Sequence, residues 1–258
     1  MHSNHSVHER DSVNLGQKPI VVEHLYKKYP NGYTAIKDNS FLVNEGEIFG
    51  LLGPNGAGKS TTFNIATAAL PKTSGKVKIL NQNVDKGMMD IFENVGVCPQ
   101  YDALYDNLST EEHMLYFARL KGLDEKDIEK TVKYYYDLMS LNPYIKVYAG
   151  NLSGGNKRKL CVSMAMLANP LIMFFDEPSS GVDPISRRFL WKSLALSTRT
   201  KKTSMILTTH SMNEAESLCS RIGILIKGKF NDIATPEELK RKYGKGYRIT
   251  IEADEENH

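Results

Sequence analysis

The sequence contains no apolar run long enough to cross a membrane. A membrane-spanning helix needs about 20 mostly apolar residues, so we expect that this chain does not cross a bilayer by itself. Residues 1–18 are polar and lack the apolar centre of a secretory signal peptide. We therefore interpret residues 1–18 as a disordered leader.

Cysteine is scarce, with three residues in a chain of 258. Cys98, Cys161 and Cys219 are far apart, are odd in number and lack the spacing of metal ligands. The pattern argues against a disulfide framework and favours reduced thiols in a cytosolic protein.

An excess of one charge sign is also missing. The formal net charge is +3, so the chain has no strong general attraction to nucleic acid, and we expect no nucleic-acid partner. Basic clusters occur locally at 156–159, 199–202 and 240–248, and we interpret them as solvated faces.

The chain does contain enough apolar material for a sizeable core, since 41% of its residues are hydrophobic. Short apolar runs alternate with helical patterns, which predicts an α/β fold of the doubly wound type. Nearly unbroken apolar strands are typical of a parallel sheet buried on both faces. The predicted strands are PIVVEHLY, NSFLV and GKVKIL, followed by EIFGLL, VGVC, LIMFF, TSMILTT and RIGILI.

Helical patterns fill the intervals between these strands. Ser109 and Glu112 have the spacing of a capping box, which marks the start of one helix. The stretch 101–150 contains no clear strand, so we expect it to form a helical subdomain. The predicted helices span about 59–69, 109–121, 125–140, 153–168, 184–197 and 212–219.

One glycine-rich segment, GPNGAGKST, carries a specific chemical signal. Gly53, Gly58, Lys59 and Ser60 fit the pattern G-x-x-x-x-G-K-[ST], between a predicted strand and a predicted helix. Glycines let backbone N–H groups turn toward phosphate oxygens, and the helix N-terminus adds the positive end of its dipole. Lys59 should contact the β- and γ-phosphates of a nucleotide, and the Ser60 hydroxyl should bind Mg²⁺.

A second signal is the acidic pair that ends the apolar run in LIMFFDEP. The glycine-rich pattern described above is called a P-loop. A carboxylate at this strand end, Asp176, can hold Mg²⁺ through water, as the corresponding aspartate does in P-loop enzymes. The adjacent Glu177 would be placed to polarise an attacking water. A solvated strand terminus would be the better interpretation of an isolated pair, but a P-loop in the same chain favours catalysis.

A third signal is the segment NLSGGNKRKL at 151–160, where Ser153 precedes Gly154 and Gly155 at the start of a predicted helix. A serine N-cap followed by exposed amides predicts another anion site.

Five motifs in a fixed order reveal a family resemblance. With Gln100 after VGVCP and His210 after MILTT, the three segments above make residues 20–240 closely similar to an ABC-type ATPase cassette. The resemblance implies an α/β fold, with a P-loop NTPase core, a mainly parallel sheet and an N-terminal antiparallel β subdomain. It also implies an ABC ATPase domain over 19–240, a helical subdomain at about 101–165, and a C-terminal extension at 241–258 that could begin a small regulatory domain.

The resemblance further implies roles at an ATP and Mg²⁺ site. Tyr29 would stack on the adenine ring, with Tyr33 as the runner-up and a merely packed tyrosine as the alternative for either. The catalytic residues would be Lys59, Gln100, Glu177 and His210. The metal ligands would be Ser60, Gln100 and Asp176. The other nucleotide contacts would be Gly53, Asn55, Gly56, Gly58, Lys59, Ser60 and Thr61.

Two partners are implied as well. Ser153, Gly154 and Gly155 would bind the ATP held by a second cassette, and Asp183 would lie along the interface. A transmembrane domain would dock on residues 101–108 and the following helix, with local core as the alternative role for Tyr101, Leu104 and Tyr105. The implied function is the ATP-hydrolysing motor of an ABC transporter, either a separate subunit or an excised domain, which dimerises around two ATP at the cytoplasmic face of a membrane.

Two departures from the commoner cassette pattern resemble the A subfamily, which largely moves lipids and sterol-like substrates. Asn156 stands where many cassettes have glutamine, and the segment before Pro184 reads Ser-Gly-Val-Asp. Bacterial exporter cassettes have similar sequences.

The alternative function is a soluble ABC-type ATPase that acts on DNA or the ribosome. The absence of a heptad run between Gly58 and Ser153 argues against an ATPase that acts on DNA. The absence of a second cassette and of a long charged linker from this sequence argues against a factor that acts on the ribosome. A small-molecule kinase would need neither LSGG nor Glu177.

Overall fold

The structure is a computed structural model that describes residues 18–86 and 89–244. Within these residues the chain forms ten β-strands and seven α-helices. The strands are β1 (Ile20–Lys28), β2 (Thr34–Val43), β3 (Ile48–Leu52), β4 (Ser74–Ile79), β5 (Gln82–Asn83), β6 (Val95–Cys98), β7 (Ile172–Asp176), β8 (Ser204–Thr209), β9 (Arg221–Ile226) and β10 (Lys229–Ala234). The helices are α1 (Lys59–Ala66), α2 (Thr110–Leu120), α3 (Glu125–Met139), α4 (Gly154–Met166), α5 (Pro184–Lys201), α6 (Met212–Leu218) and α7 (Pro236–Tyr243).

The strands form two sheets, which confirms the predicted fold class. The larger sheet has the order β10-β9-β3-β8-β7-β6, and all its neighbours are parallel except β9 and β10. The smaller sheet has the order β2-β1-β4-β5 and is antiparallel throughout. The N-terminal antiparallel unit therefore packs beside a mainly parallel core.

Strand β3 separates two hydrophobic cores. Phe49 and Leu51 pack with the antiparallel sheet and α1, whereas Ile48 and Leu52 pack on the helical side. Successive side chains of a strand point to opposite faces, so a strand buried on both faces must be apolar at every position. This requirement explains the unbroken apolar run that ends at the glycine-rich segment.

In the chain, helices α2, α3 and α4 follow β6 and precede β7, in the region where the sequence predicts a helical subdomain. The three helices pack against one another. The predicted capping box is confirmed at the start of α2, because Ser109 Oγ accepts a bond from the Glu112 amide and the Glu112 carboxylate accepts one from the Ser109 amide. Tyr135 fixes α3 to the end of α4 by donating to the Met166 carbonyl at 2.6 Å.

Four elements differ from the sequence prediction, and one of them is the unpredicted two-residue strand β5. Strand β2 begins at Thr34 rather than near residue 39, because Asp38, at φ 58°, interrupts the alternation that marks a strand. Strand β10 was missed because it lies at the sheet edge and is only partly buried, so it has no apolar run. Helix α7 was also missed, and it crosses the predicted domain boundary at residue 240.

Three further expectations concerned the cysteines, membrane-spanning helices and the two ends of the chain. All three cysteines are free and buried, and burial raises the pKa of the Cys98 thiol to about 11. Among residues 18–86 and 89–244, no helix is long and apolar enough to cross a bilayer. The predicted leader up to residue 17 and the extension beyond residue 244 lie outside the described residues.

Candidate active site

The order of the parallel strands determines where the motifs meet. Strands β3, β8 and β7 are neighbours, and each is followed at its carboxyl end by one predicted motif. The P-loop follows β3, His210 follows β8, and Glu177 follows β7. Since the carboxyl ends of parallel strands lie at one edge of a sheet, motifs far apart in sequence converge there.

The P-loop is shaped by two glycines that no larger residue could replace. Gly58 has a φ of 103°, and a Cβ atom there would lie 2.7 Å from the Ala35 carbonyl oxygen. A Cβ atom at Gly53 would lie 2.3 Å from the carbonyl oxygen of Leu225. Lys59, the first residue of α1, is buried and donates hydrogen bonds to Gly53 O at 2.9 Å and Pro54 O at 3.3 Å. The loop therefore holds its own lysine against its backbone.

Asp176 joins the P-loop helix to the centre of the sheet. Its carboxylate accepts a hydrogen bond from Ser60 Oγ at 3.3 Å and another from the Thr208 hydroxyl. Hydroxyl and carboxylate oxygens are ligands that suit Mg²⁺. Across the described ranges, no group of three or more His, Cys, Asp and Glu side chains could hold a metal. The Ser60–Asp176 pair would thus be a partial set, which fits a cation that also binds phosphate oxygens.

The Glu177 carboxylate lies between two basic side chains, Lys59 and His210. Its carboxylate oxygens lie 3.7 Å from Lys59 Nζ and 3.2 Å from His210 Nδ1. Its backbone is held at a φ of 50°, which is unfavourable for a side chain with a Cβ atom. The Glu177 amide donates to both the carbonyl and the hydroxyl oxygen of Thr208, each at 3.1 Å. The buried backbone thus directs the carboxylate toward the P-loop.

A cavity of about 350 Å³ opens beside these groups, and most of the predicted site residues line it, whereas Gly53, Asp176 and His210 do not. Within its lining, the rings of Tyr29 and Tyr33 are nearly parallel, with centroids 6.4 Å apart. Tyr29 is half-buried, whereas Tyr33 is 53% exposed and donates to the Gly56 carbonyl at 3.3 Å. The lining residues are Tyr29, Tyr33, Ala35, Asn55, Gly56, Gly58, Lys59, Ser60, Thr61, Gln100 and Glu177.

The choice between the two tyrosines is a testable prediction. Tyr29→Ala should weaken ATP binding by roughly tenfold or more, because stacking of an aromatic side chain on a base is worth about 1–3 kcal/mol. Tyr33→Ala should have a smaller effect. Titration of each variant with a fluorescent ATP analogue measures the difference, and inorganic triphosphate, which has no base, serves as the control ligand. An unchanged affinity for Tyr29→Ala together with a loss for Tyr33→Ala would reverse the assignment.

Ser153, Gly154 and Gly155, which the family resemblance assigns to the ATP of a second cassette and which we call the signature, do not line this cavity. Ser153 and Gly154 are exposed, and Gly155 is half-buried. Ser153 is the N-cap of α4, as predicted, and its hydroxyl accepts a bond from the Asn156 amide at 3.3 Å. Asp183 likewise caps α5, and bonds from the Ser186 and Ile185 amides hold the pKa of its carboxyl below the ordinary value.

The expectation that the basic cluster at 156–159 is a solvated face is wrong for Arg158. This side chain is buried against the loops that follow β6 and β7, although neighbouring Lys157 is partly exposed. Sequence reasoning also missed Thr208. No helical periodicity marked Arg158 as buried, because α4 is buried at every position from Leu160 to Met166 and so has no single apolar face.

Comparisons with known proteins agree with the geometry. Residues 36–180 match the model of the ABC transporter family. ABC transporter A family member 5 of Arabidopsis thaliana is 40% identical over 247 residues, which cover 92% of this chain and 26% of the relative. The human phospholipid-transporting ATPase ABCA3 is 37% identical over 240 residues, which cover 92% of this chain and 14% of the relative. This chain thus spans about a quarter or less of these relatives.

The fold has a similar counterpart among solved structures. An ATP-binding subunit of an ABC transporter superposes with a TM-score of 0.80 at 27% sequence identity. The alignment covers 87% of this chain and 93% of that one.

Proposed function

Because this chain belongs to the ABC transporter family, as an ATPase domain of that family, we propose that it uses ATP binding and hydrolysis to drive transport across a membrane. The observation that carries the proposal is the convergence of Lys59, Ser60, Asp176 and Glu177 at one end of the P-loop cavity. Ser60 Oγ lies 3.3 Å from the Asp176 carboxylate, and Lys59 Nζ lies 3.7 Å from that of Glu177. The Glu177→Gln experiment in the Discussion tests it.

The side chains suggest a division of roles in hydrolysis. The P-loop amides and Lys59 would bind the β- and γ-phosphates, with Lys59 exchanging its carbonyl partners for phosphate oxygens. Ser60 and Asp176 would hold Mg²⁺, with Gln100 at the cavity wall as a further oxygen ligand. When bound, Mg²⁺ would neutralise charge on the phosphates. Glu177 would orient the attacking water and act as a general base toward its proton. His210 would hold the Oε2 atom of the Glu177 carboxylate in place.

A second cassette would complete the site. Ser153 and Gly154 are exposed, and they do not line the cavity of their own chain. Exposed amides at a capped helix start suit the phosphates of ATP held by another protomer. We propose a dimer that closes around two ATP, with Asp183 at the interface.

The partner that this motor serves would be a transmembrane domain at the cytoplasmic face of a membrane. Relatives named phospholipid-transporting ATPases support a lipid as the transported substrate and favour transport over action on DNA or the ribosome. Tyr101 is 83% exposed and Tyr105 is 60% exposed, which supports the segment 101–108 as the docking surface. Leu104 is half-buried and packs against the domain core, so its role is at least partly local.

Replacing the two exposed tyrosines should separate hydrolysis from transport. Tyr101→Ser with Tyr105→Ser should leave the ATPase rate of the isolated domain within about twofold, since neither side chain lines the nucleotide cavity. In a complete transporter the same pair should lower substrate movement per ATP. The control is Phe189→Ser, which alters another exposed aromatic side chain, on α5. Unchanged coupling in a reconstituted transporter would contradict this docking surface.

A further inference from the structure

Arg158 is a buried cation that the mechanism above leaves unused. It lies in α4, the helix that Ser153 caps, and only 2% of its surface is exposed. Its nearest carboxylate oxygen, Oδ1 of Asp102, is 3.7 Å from Nη1, so the ion pair lacks a short contact. A buried charge without short polar contacts would be strongly unfavourable. The favourable contacts of Arg158 must therefore be elsewhere.

The guanidinium group binds four backbone carbonyls on two separate segments. Nη1 donates to Pro99 O at 2.5 Å and to Gln100 O at 3.3 Å, in the loop after β6. Nη2 donates to Asp176 O at 2.5 Å and Nε to Pro178 O at 3.1 Å, at the end of β7. Such a set needs the five donors and rigid plane of arginine, which a lysine ammonium does not offer.

The two carbonyls on the second segment belong to Asp176 and Pro178, the residues on either side of Glu177. Glu177 has a φ of 50°, a conformation that persists in a folded protein only where surrounding contacts enforce it. Arg158 binds the carbonyl of the peptide unit that precedes Glu177 and the carbonyl of Pro178, while Thr208 accepts from the Glu177 amide. The direction of the Glu177 carboxylate therefore depends on a side chain from the helix that starts at Ser153.

We propose that Arg158 is a positioning residue that fixes the backbone of Glu177 and of Gln100 and joins both to the signature helix. Arg158 does not line the nucleotide cavity, and its hydrogen bonds go to backbone carbonyls, so we expect it not to touch the nucleotide itself. The proposal rests on the proposed ATPase function. It implies that Arg158 affects the step that needs Glu177 and has little effect on ATP binding by the P-loop.

The first test is Arg158→Lys, which keeps the charge but loses the planar fork. We expect kcat for ATP hydrolysis to fall at least about tenfold, with KM for ATP changed by less than about threefold. The matched control is Arg221→Lys, which alters an arginine bound to Leu42 O and Glu47 away from the cavity. Equal losses in both variants, or an unchanged kcat for Arg158→Lys, would overturn the proposal.

A double-mutant cycle separates positioning from general damage. If Arg158 acts through Glu177, Arg158→Lys should cost little further activity in a Glu177→Gln background, where single-turnover rates are compared. A structural defect would instead multiply the two losses. Independent effects in this cycle would therefore reject the proposed role.

A measurement without nucleotide supplies an independent readout. Hydrogen exchange of the free protein should accelerate in Arg158→Lys within peptides covering 99–102 and 176–180, and not in Arg221→Lys. Acceleration spread over the whole domain would reject a local role. Wild-type protein that hydrolyses no ATP would reject the proposed function, while the exchange result would still decide the positioning role. Arg158→Gln replaces the lysine variant if that variant does not melt cooperatively, and failure of both to fold would also reject a specific positioning role.

Discussion

Replacing Glu177 by glutamine should lower the rate of ATP hydrolysis by roughly 10²- to 10⁴-fold, the range typical of a lost general base. Glutamine keeps the size of the side chain but removes the carboxylate that would draw on the proton of water. The P-loop contacts of Lys59 with Gly53 O and Pro54 O are untouched. ATP should therefore still bind, and it should hold two cassettes together because it is not consumed.

Phosphate release and gel filtration with Mg-ATP measure the two halves of this prediction. The matched control is Glu214→Gln, which alters another buried glutamate, one whose partner is the indole N–H of Trp191 at 3.0 Å. That variant should hydrolyse ATP at close to the wild-type rate. A Glu177→Gln protein that stays monomeric in Mg-ATP and releases phosphate as fast as wild type would disprove the assigned role.

The second large effect is a recovery of activity when two inactive variants are mixed. Lys59→Ala removes the charge that faces the phosphates, and Ser153→Arg blocks the signature, so each homodimer has two broken sites. In a mixed dimer, one site combines both lesions, but the other joins an intact P-loop to an intact signature. Hydrolysis should return to at most about one working site per mixed dimer, because Ser153 lies outside the cavity of its own chain.

The control for this experiment mixes Lys59→Ala with Glu177→Gln. Both lesions lie on the P-loop side of the site, where Lys59 and Glu177 are 3.7 Å apart, so no mixed dimer contains an intact site. No recovery is expected there. If Lys59→Ala and Ser153→Arg form mixed dimers but recover no activity, a shared site is contradicted, and a tandem-linked dimer with one mutated site tests whether both sites must work together.

Local signals in the sequence were sufficient for much of this fold and site. The P-loop from Gly53 to Thr61 could be identified because its spacing, between a strand and a helix, is set by the phosphate that it binds. The capping box at Ser109 and the apolar strand before Asp176 were equally readable, since each depends on residues close together in sequence. Strand β10 was not, because a half-buried edge strand has no apolar run. Helix α7 was missed although Thr235 and Glu238 form a capping box of the same kind and Pro236 is its first residue.

Contacts between distant segments were decided only in the tertiary structure. The sequence predicted a nucleotide site that includes Lys59 and Glu177, but the adjacency of β3, β8 and β7 is what brings Lys59 Nζ to 3.7 Å from the Glu177 carboxylate. Arg158 is the clearest example of a residue whose surroundings could not be predicted from the sequence. A basic residue in a basic cluster is usually solvated, and nothing local distinguishes it from its neighbours. It is buried because the fold brings four backbone carbonyls, from segments far apart in sequence, to its guanidinium group.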